Sequence, residues 1–326
     1  MIAAFYSFVI RLKLNNSAVS RPRWKNQGDK MQIARYIASC LSVAVLGFGL
    51  YDVPARAKDN TNGNGNSQAN EEAETIPPNA KGQLQRGVPD TKANKGSSQT
   101  QNVIDHHGPV LPSSKQYFIF WGPPGDFPRD AMTGLTSLAQ GLAGSSYLGI
   151  MQQYMRGASI STMYVNVASD LSAPPSHGPS TASIVNEACK AINSNSGWSA
   201  DSNALYTVVT SNFPHINYCA WHASGTCNGT TIQVAYLPNA SGVAGCDPGN
   251  LFNCNGYSQG TRSMADSYAH EFSETITDPQ GNAWYDQSGA EIGDKCNFNY
   301  SACVSLKTGS WQLQKEWSNA ISACQQ

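Results

Sequence analysis

A single layered α/β domain with a central mixed sheet is the fold class this sequence predicts, and three observations predict it. Between residues 101 and 326, short apolar runs of strand character alternate with longer segments of helical spacing, the pattern of a sheet covered by helices. The chain has 326 residues, enough to bury a large core. Eight cysteines, Cys189, Cys219, Cys227, Cys246, Cys254, Cys296, Cys303 and Cys324, fall within the same region and predict loops stapled by disulfides.

The N-terminal part reads as addressing, not fold. From Met31 a basic Arg35 is followed by an apolar stretch, Tyr36 to Leu50, and then by Pro54-Ala55-Arg56-Ala57. Ala55 and Ala57 give the small-x-small pattern of a signal-peptidase site with cleavage after Ala57. Residues 1–57 are therefore expected to be an N-terminal extension and signal peptide, the signal itself covering about 31–57. Ile37-Ala38-Ser39-Cys40 has the letters of a lipobox but stands at the start of the apolar stretch, where a lipobox does not belong. A retained membrane anchor is the competing reading of this stretch. Residues 58–100 are rich in Asn, Gly, Gln, Ser, Glu and Lys. With almost no large apolar residue to bury, they are expected to form a disordered linker.

The folded domain is expected over 101–326, and its elements follow in order. Tyr117-Phe118-Ile119-Phe120-Trp121, closed by Gly122-Pro123-Pro124, reads as a buried strand. Arg129 to Ala143 and Ser146 to Met155 have helical spacing, and Ile160 to Val167 reads as a strand. A helix over Ser180 to Asn193 is predicted from Ile184, Ala188 and Ile192. Leu205 to Val209 and Ile232 to Tyr236 are further strands, with His222 placed in a loop beside Cys219. The last helix is expected from Ser263, as N-cap with Asp266 three residues on, to Thr277, where Asp278-Pro279 stops it. Loops rich in Gly, Asn and Asp follow. The close cysteine pairs Cys219/Cys227, Cys246/Cys254 and Cys296/Cys303 suggest local staples, which leaves Cys189 with Cys324; eight cysteines allow 105 pairings.

Bulk charge excludes some partners. Lys and Arg total 21 against 22 Asp and Glu, a net charge of −1, and only 13% of residues are charged. No basic stripe argues for nucleic acid, and no membrane contact is expected once the signal is removed. A weakly charged, cystine-bearing chain behind a signal is expected to be secreted or periplasmic. An extracellular polypeptide or a cell-wall polymer is the expected partner.

The chemistry concentrates on the last helix. His270-Glu271-Phe272-Ser273-Glu274 sets an imidazole and a carboxylate four residues apart, on one face and within reach of one metal ion. Glu271 stands where zinc hydrolases of the His-Glu-x-x-His type carry their general base, with Glu274 in place of the second His. Downstream acids Asp278, Asp286, Glu291 and Asp294 offer a third ligand, Asp294 or Glu291 foremost, in the chain order of zincin-like enzymes. An imidazole with carboxylates suits zinc, while an all-oxygen set from the Asp278–Asp294 loop would suit calcium. Met264, Ala265, Tyr268, Ala269, Phe272 and Ile276 make the apolar stripe of this helix, so its polar side could equally be a solvated face. His222 is a further candidate ligand or acid/base.

Gly256-Tyr257-Ser258-Gln259-Gly260 matches the Gly-x-Ser-x-Gly nucleophile pattern of serine esterases. No strand-like run precedes it, however, and the only His after it, His270, lies inside the following helix.

His107-Gly108-Pro109-Val110-Leu111, Phe118-Ile119-Phe120-Trp121-Gly122, Cys219-Ala220-Trp221-His222 and the His270 to Pro279 run are joined by Ala283-Trp284-Tyr285-Asp286 and Glu291-Ile292-Gly293-Asp294-Lys295-Cys296. Together they resemble the exordium-like, or phosphate-induced protein, family and its microbial relatives, over roughly residues 103–326. The resemblance implies an extracellular or cell-wall protein; plant members are associated with growth and cell expansion, without an established reaction. Two functions therefore stand: a zinc-dependent hydrolase of peptidase type, and a non-catalytic extracellular cell-wall or signalling module with structural calcium.

Overall fold

The computed structural model describes residues 73–87 and 101–326. These belong to one compact unit, Ala69–Gln326. The predicted signal region and the rest of the predicted linker lie outside the described residues.

After a two-residue strand β1 (Ile104–Asp105), the chain enters β2 (Ser113–Trp121), helix α1 (Ala131–Leu142), the short helix α2 (Ser146–Ile150) and β3 (Ser161–Asp170). Helix α3 (Thr181–Ser194) leads to β4 (Ala204–Thr210), then β5 (Trp221–Cys227), β6 (Thr230–Pro238) and the long helix α4 (Gln259–Thr277). Strands β2 to β6 form one five-stranded mixed sheet in the order β3-β2-β4-β6-β5. Its pairs are parallel except β5 with β6, so β5 is an antiparallel edge. The described chain ends in small two-stranded units: β7 (Trp284–Tyr285) pairs with β1, β8 (Val304–Leu306) with β9 (Gly309–Trp311), and β10 (Glu316–Ser318) with β11 (Ala323–Gln325).

Side chains of a strand alternate between its two faces, and both faces here are covered. Phe118, Phe120, Leu205, Val209, Ala235 and Leu237 point into a core shared with α1, α2 and α4. Tyr117, Ile119, Tyr206, Val208, Val234 and Tyr236 point into the core under α3. Double burial explains why the strands read as continuous apolar runs. Helices α1 and α4 approach closely at Gly134, where a Cβ would fall 2.3 Å from the Thr261 methyl.

Four expectations change. The predicted local cystines do not form: the bonds are Cys189–Cys227, Cys219–Cys246, Cys254–Cys303 and Cys296–Cys324, with Cα separations of 5.3 to 5.7 Å. Cys219 lies two residues before β5 and Cys227 is its last residue; a strand of that length rises about 20 Å, far beyond the span of a disulfide. Cys189 and Cys324 contact different cores on opposite faces of the sheet. Second, the last helix begins a turn earlier than Ser263. Ser258 is the N-cap and accepts from the Thr261 N–H; Ser263 is buried within the helix.

Third, His222 is not in a loop but in edge strand β5, which a strand run containing Ser and Gly conceals. Fourth, residues 73–87 do not behave as linker. They pair with the chain around β5 through bridges Glu74 to Ile216, Lys81 to His222 and Leu84 to Tyr218. Their backbone groups find partners in a sheet edge, so no large apolar residue is needed to hold them.

Candidate metal centre

Helix α4 is buried on all sides, not only along its apolar stripe: Asp266, His270, Glu271 and Glu274 are as inaccessible as Phe272 and Ile276. The polar side is therefore no solvated face. It meets β5, the loop after β7 and residues 73–87, and the predicted site residues converge there.

Two overlapping triads result. Ligand atoms of His270, Glu274 and Asp294 all lie within 4.8 Å of one another, and so do those of His222, Glu271 and Glu274. Glu274 joins the two. Its Oε1 is 3.2 Å from His270 Nε2 and accepts the Asp294 N–H at 2.9 Å, while Oε2 is 3.6 Å from His222 Nε2. The Nε2 of His270 is 3.7 Å from Asp294 Oδ1. His222 Nε2 lies 3.3 Å from Glu291 Oε2. The sequence places His270 and Glu274 one helical turn apart; the loop is drawn over them because residue 293 is glycine. A Cβ there would sit 2.9 Å from both Glu274 Oε1 and His270 Nδ1.

Glu271, between the two metal-facing residues, is anchored differently. Its Oε1 accepts the Gln83 N–H at 3.1 Å, and its Oε2 has no hydrogen-bond partner. Lys81 reaches in from the same segment, 3.1 Å from Asp278 Oδ2 and 3.7 Å from Glu291 Oε2, over the ring of Tyr285. Asp278 also accepts the N–H groups of Asn282 and Ala283, both at 2.6 Å, so its carboxylate is committed to turning the chain. Asp286 stands apart from both triads. It pairs with Lys295 at 2.8 Å and accepts from Ser288 and Ala290.

Charge balance decides what this arrangement needs. Glu271, Glu274, Asp278, Glu291 and Asp294 face one lysine, and four of the five carboxylates are fully buried. Burying such groups without compensation is costly. Protonation supplies part of the compensation. Burial, with Lys81 opposing and Glu274 and Asp278 adding to it, raises the Glu291 carboxyl well above the usual range. Burial likewise raises Glu271, and neighbouring Glu274 raises it further. Burial pushes the His222 imidazole down to about 4. For His270 burial opposes the charged form, yet the attraction of Glu274, Glu271 and Asp294 prevails and holds it high.

Several buried atoms make no hydrogen bond: Nδ1 of His270, Nδ1 of His222, Oε2 of Glu274 and Oε1 of Glu291. Triads whose imidazole and carboxylate ligand atoms lie within 4.8 Å of one another fit a divalent cation. These buried groups can hold a metal ion.

Ser258 is no part of this site. Its hydroxyl donates to Asp130 Oδ1 at 2.5 Å and caps α4, so the Gly-x-Ser-x-Gly pattern is a helix start. Sequence reasoning missed Lys81, Gln83 and Gly293. Gly293, between Glu291 and Asp294, carried a legible signal, a residue without a side chain amid ligands; Lys81 and Gln83 carried none.

No protein-family model matches the chain, and no curated protein matches it. Among the described residues, no helix is long and apolar enough to cross a membrane. Four disulfides belong to an oxidising compartment.

Proposed function

We propose that the protein is a secreted, metal-dependent hydrolase, most simply a zinc peptidase, of the exordium-like family. The observation that carries the reading is the pair of triads sharing Glu274, one of which contains Glu271. His270, Glu274 and Asp294 would hold the metal; an imidazole with carboxylates suits zinc. His222 lies beside the centre, its Nε2 3.6 Å from the second oxygen of Glu274 and 3.3 Å from Glu291. Bound zinc supplies Lewis acidity and brings the acidity of water toward neutral pH. With a cation beside it Glu271 would be ionised and would take the proton of the water: one oxygen is fixed by the Gln83 N–H and the other makes no hydrogen bond. The signal-like segment and the disulfides support export. The motifs from His107 to Cys296 support the family, and the expected substrate is an extracellular polypeptide or cell-wall polymer.

One observation favours a second reading. His270, Glu271 and Glu274 are wholly inaccessible, as in a structural site, and the excess of carboxylate oxygens would suit calcium. A non-catalytic extracellular cell-wall or signalling module would look like this.

Three variants separate the readings. His270→Ala should abolish stoichiometric metal by elemental analysis, since too few protein ligands remain. Glu271→Gln should keep metal and melting temperature but lose hydrolysis in a broad peptide-cleavage screen, because an amide cannot accept the proton. Ser258→Ala should leave metal and hydrolysis intact. Stoichiometric calcium in the wild type, or no metal with His270→Ala melting unchanged, would reject the hydrolase.

A further inference from the structure

The free edge of the five-stranded sheet beside the metal centre is not bare. Residues 73–87 run along it, antiparallel to β5 and to the chain that precedes β5 at Lys81 and Leu84. Six main-chain hydrogen bonds hold the contact, one of them from the Glu74 N–H to His215 O at 3.0 Å. Lys81 N–H donates to His222 O at 3.0 Å and His222 N–H to Lys81 O at 2.7 Å. Cys219 N–H donates to Gln83 O at 2.7 Å, Gln85 N–H to Asn217 O at 3.1 Å, and Asn217 N–H to Glu74 O at 3.0 Å. Such bonds do not depend on side chains, which is how a sheet edge recognises an added strand.

The side chains that matter lie where specificity pockets would. The ammonium of Lys81 lies between Asp278 and Glu291. Gln83 is fully buried; its amide accepts from Ser267 Oγ at 2.6 Å and donates to Gln314 Oε1 at 3.2 Å. Between them, Gly82 lies flat on the strand start, where a Cβ would fall 2.4 Å from Trp221 Cα and 2.5 Å from Ala220 O. The rest of the segment adds little core. Of its apolar side chains only Ala80 is buried, while Ile76 and Leu84 pack at the margin. The segment is held as a ligand is held, by backbone bonds and polar pockets.

We infer that the edge formed by β5 and the residues before it is a binding groove for an extended polypeptide, with a pocket for a basic side chain, no room for a side chain at the next position and a pocket for an amide after it, and that residues 73–87 occupy this groove as an internal ligand. The inference deepens the proposed hydrolase, from which it takes only the identity of the neighbouring centre: the Gln83 N–H on Glu271 sets a bound strand against the proposed base. A groove filled by the chain's own segment is closed to other peptides until that segment leaves.

The test reads binding and strap release without reading hydrolysis. Full-length protein, wild type and Gly82→Val, is titrated in chelator and in zinc with a fluorescent synthetic peptide of residues 73–87, followed by anisotropy, and both proteins are digested with limiting trypsin. Wild type should bind the peptide weakly and resist cleavage after Lys81. Gly82→Val, whose side chain meets the backbone at Ala220 and Trp221, should be cut there at least tenfold faster and bind the peptide at least tenfold tighter. A peptide carrying the same Gly82→Val change should not bind. Should Gly82→Val not fold, Lys81→Glu, which places a carboxylate against Asp278 and Glu291, serves instead, with hydrogen exchange of residues 80–85 in place of trypsin. Unchanged protection and binding in the variant would overturn the inference, as would loss of the fold in both variants, which would make the segment part of the core. Peptide binding without any hydrolysis would leave the groove standing and sink the hydrolase alone.

Discussion

Gly293 shows how one residue governs the metal centre. Its missing side chain lets the loop bearing Glu291 and Asp294 lie against His270 and Glu274. Gly293→Ala places a methyl carbon 2.9 Å from His270 Nδ1 and Glu274 Oε1, so loop or ligands must shift by several tenths of an ångström. On the proposed zinc reading, metal affinity should fall by about 10- to 100-fold, the usual cost of disturbing the groups that orient ligands, with little change in the melting temperature of the metal-free protein; competition with a chelating dye measures it. A second residue sets a pH dependence far from the candidate metal centre. Burial, with the charge of Asp170 adding to it and Lys190 opposing, raises the Glu187 carboxyl from 4.5 to about 7. The native state therefore binds the proton more tightly than the unfolded chain. This contribution to stability is present below about 4.5 and is lost as pH rises through about 7. Glu187→Gln should flatten that part of the melting-temperature profile between those limits, read by thermal melts in a pH series. A wild-type profile identical to the variant's would show the shift to be absent.

Helix α4 carries the site because it is buried on both sides. Its apolar stripe packs against the sheet and α1, and its polar face is closed by β5, the ligand loop and residues 73–87. Its start is fixed by Ser258, tied to Asp130 and to the Thr261 N–H. Ser258→Ala should cost about 1 kcal/mol, the usual loss for a serine N-cap, measured by denaturant unfolding. A loss of several kcal/mol would mean that the Asp130 contact, not the cap, holds the helix. Strand β5 matters as much: one of its residues supplies His222 to the centre, and its free side accepts the added strand.

At the scale of the molecule, the disulfides tie loops to the layered core. Cys219–Cys246 joins the chain before β5 to the loop ahead of α4, and Cys296–Cys324 ties the ligand loop to the last strand. A peptide map without reductant should return the four pairs Cys189–Cys227, Cys219–Cys246, Cys254–Cys303 and Cys296–Cys324. Replacing Cys219 and Cys246 together by Ala should cost about 2–4 kcal/mol, seen in denaturant unfolding. A map linking Cys219 to Cys227 would contradict the sheet itself, since β5 separates them.

Sequence by itself determined what is local or periodic. The alternating strands and helices, the helical turn that aligns His270 with Glu274, and the supply of acids downstream are all short-range patterns, and each is present in the α/β unit. Only the tertiary structure decided what depends on distant chain segments meeting. His222 reaches Glu274 through strand pairing, Gln83 meets Glu271 across 188 residues, and the cystines cross between elements instead of closing neighbouring loops. Edge pairing explains the largest difference. Main-chain hydrogen bonds can order a segment such as residues 73–87 whatever its composition, and composition was the only signal its sequence offered.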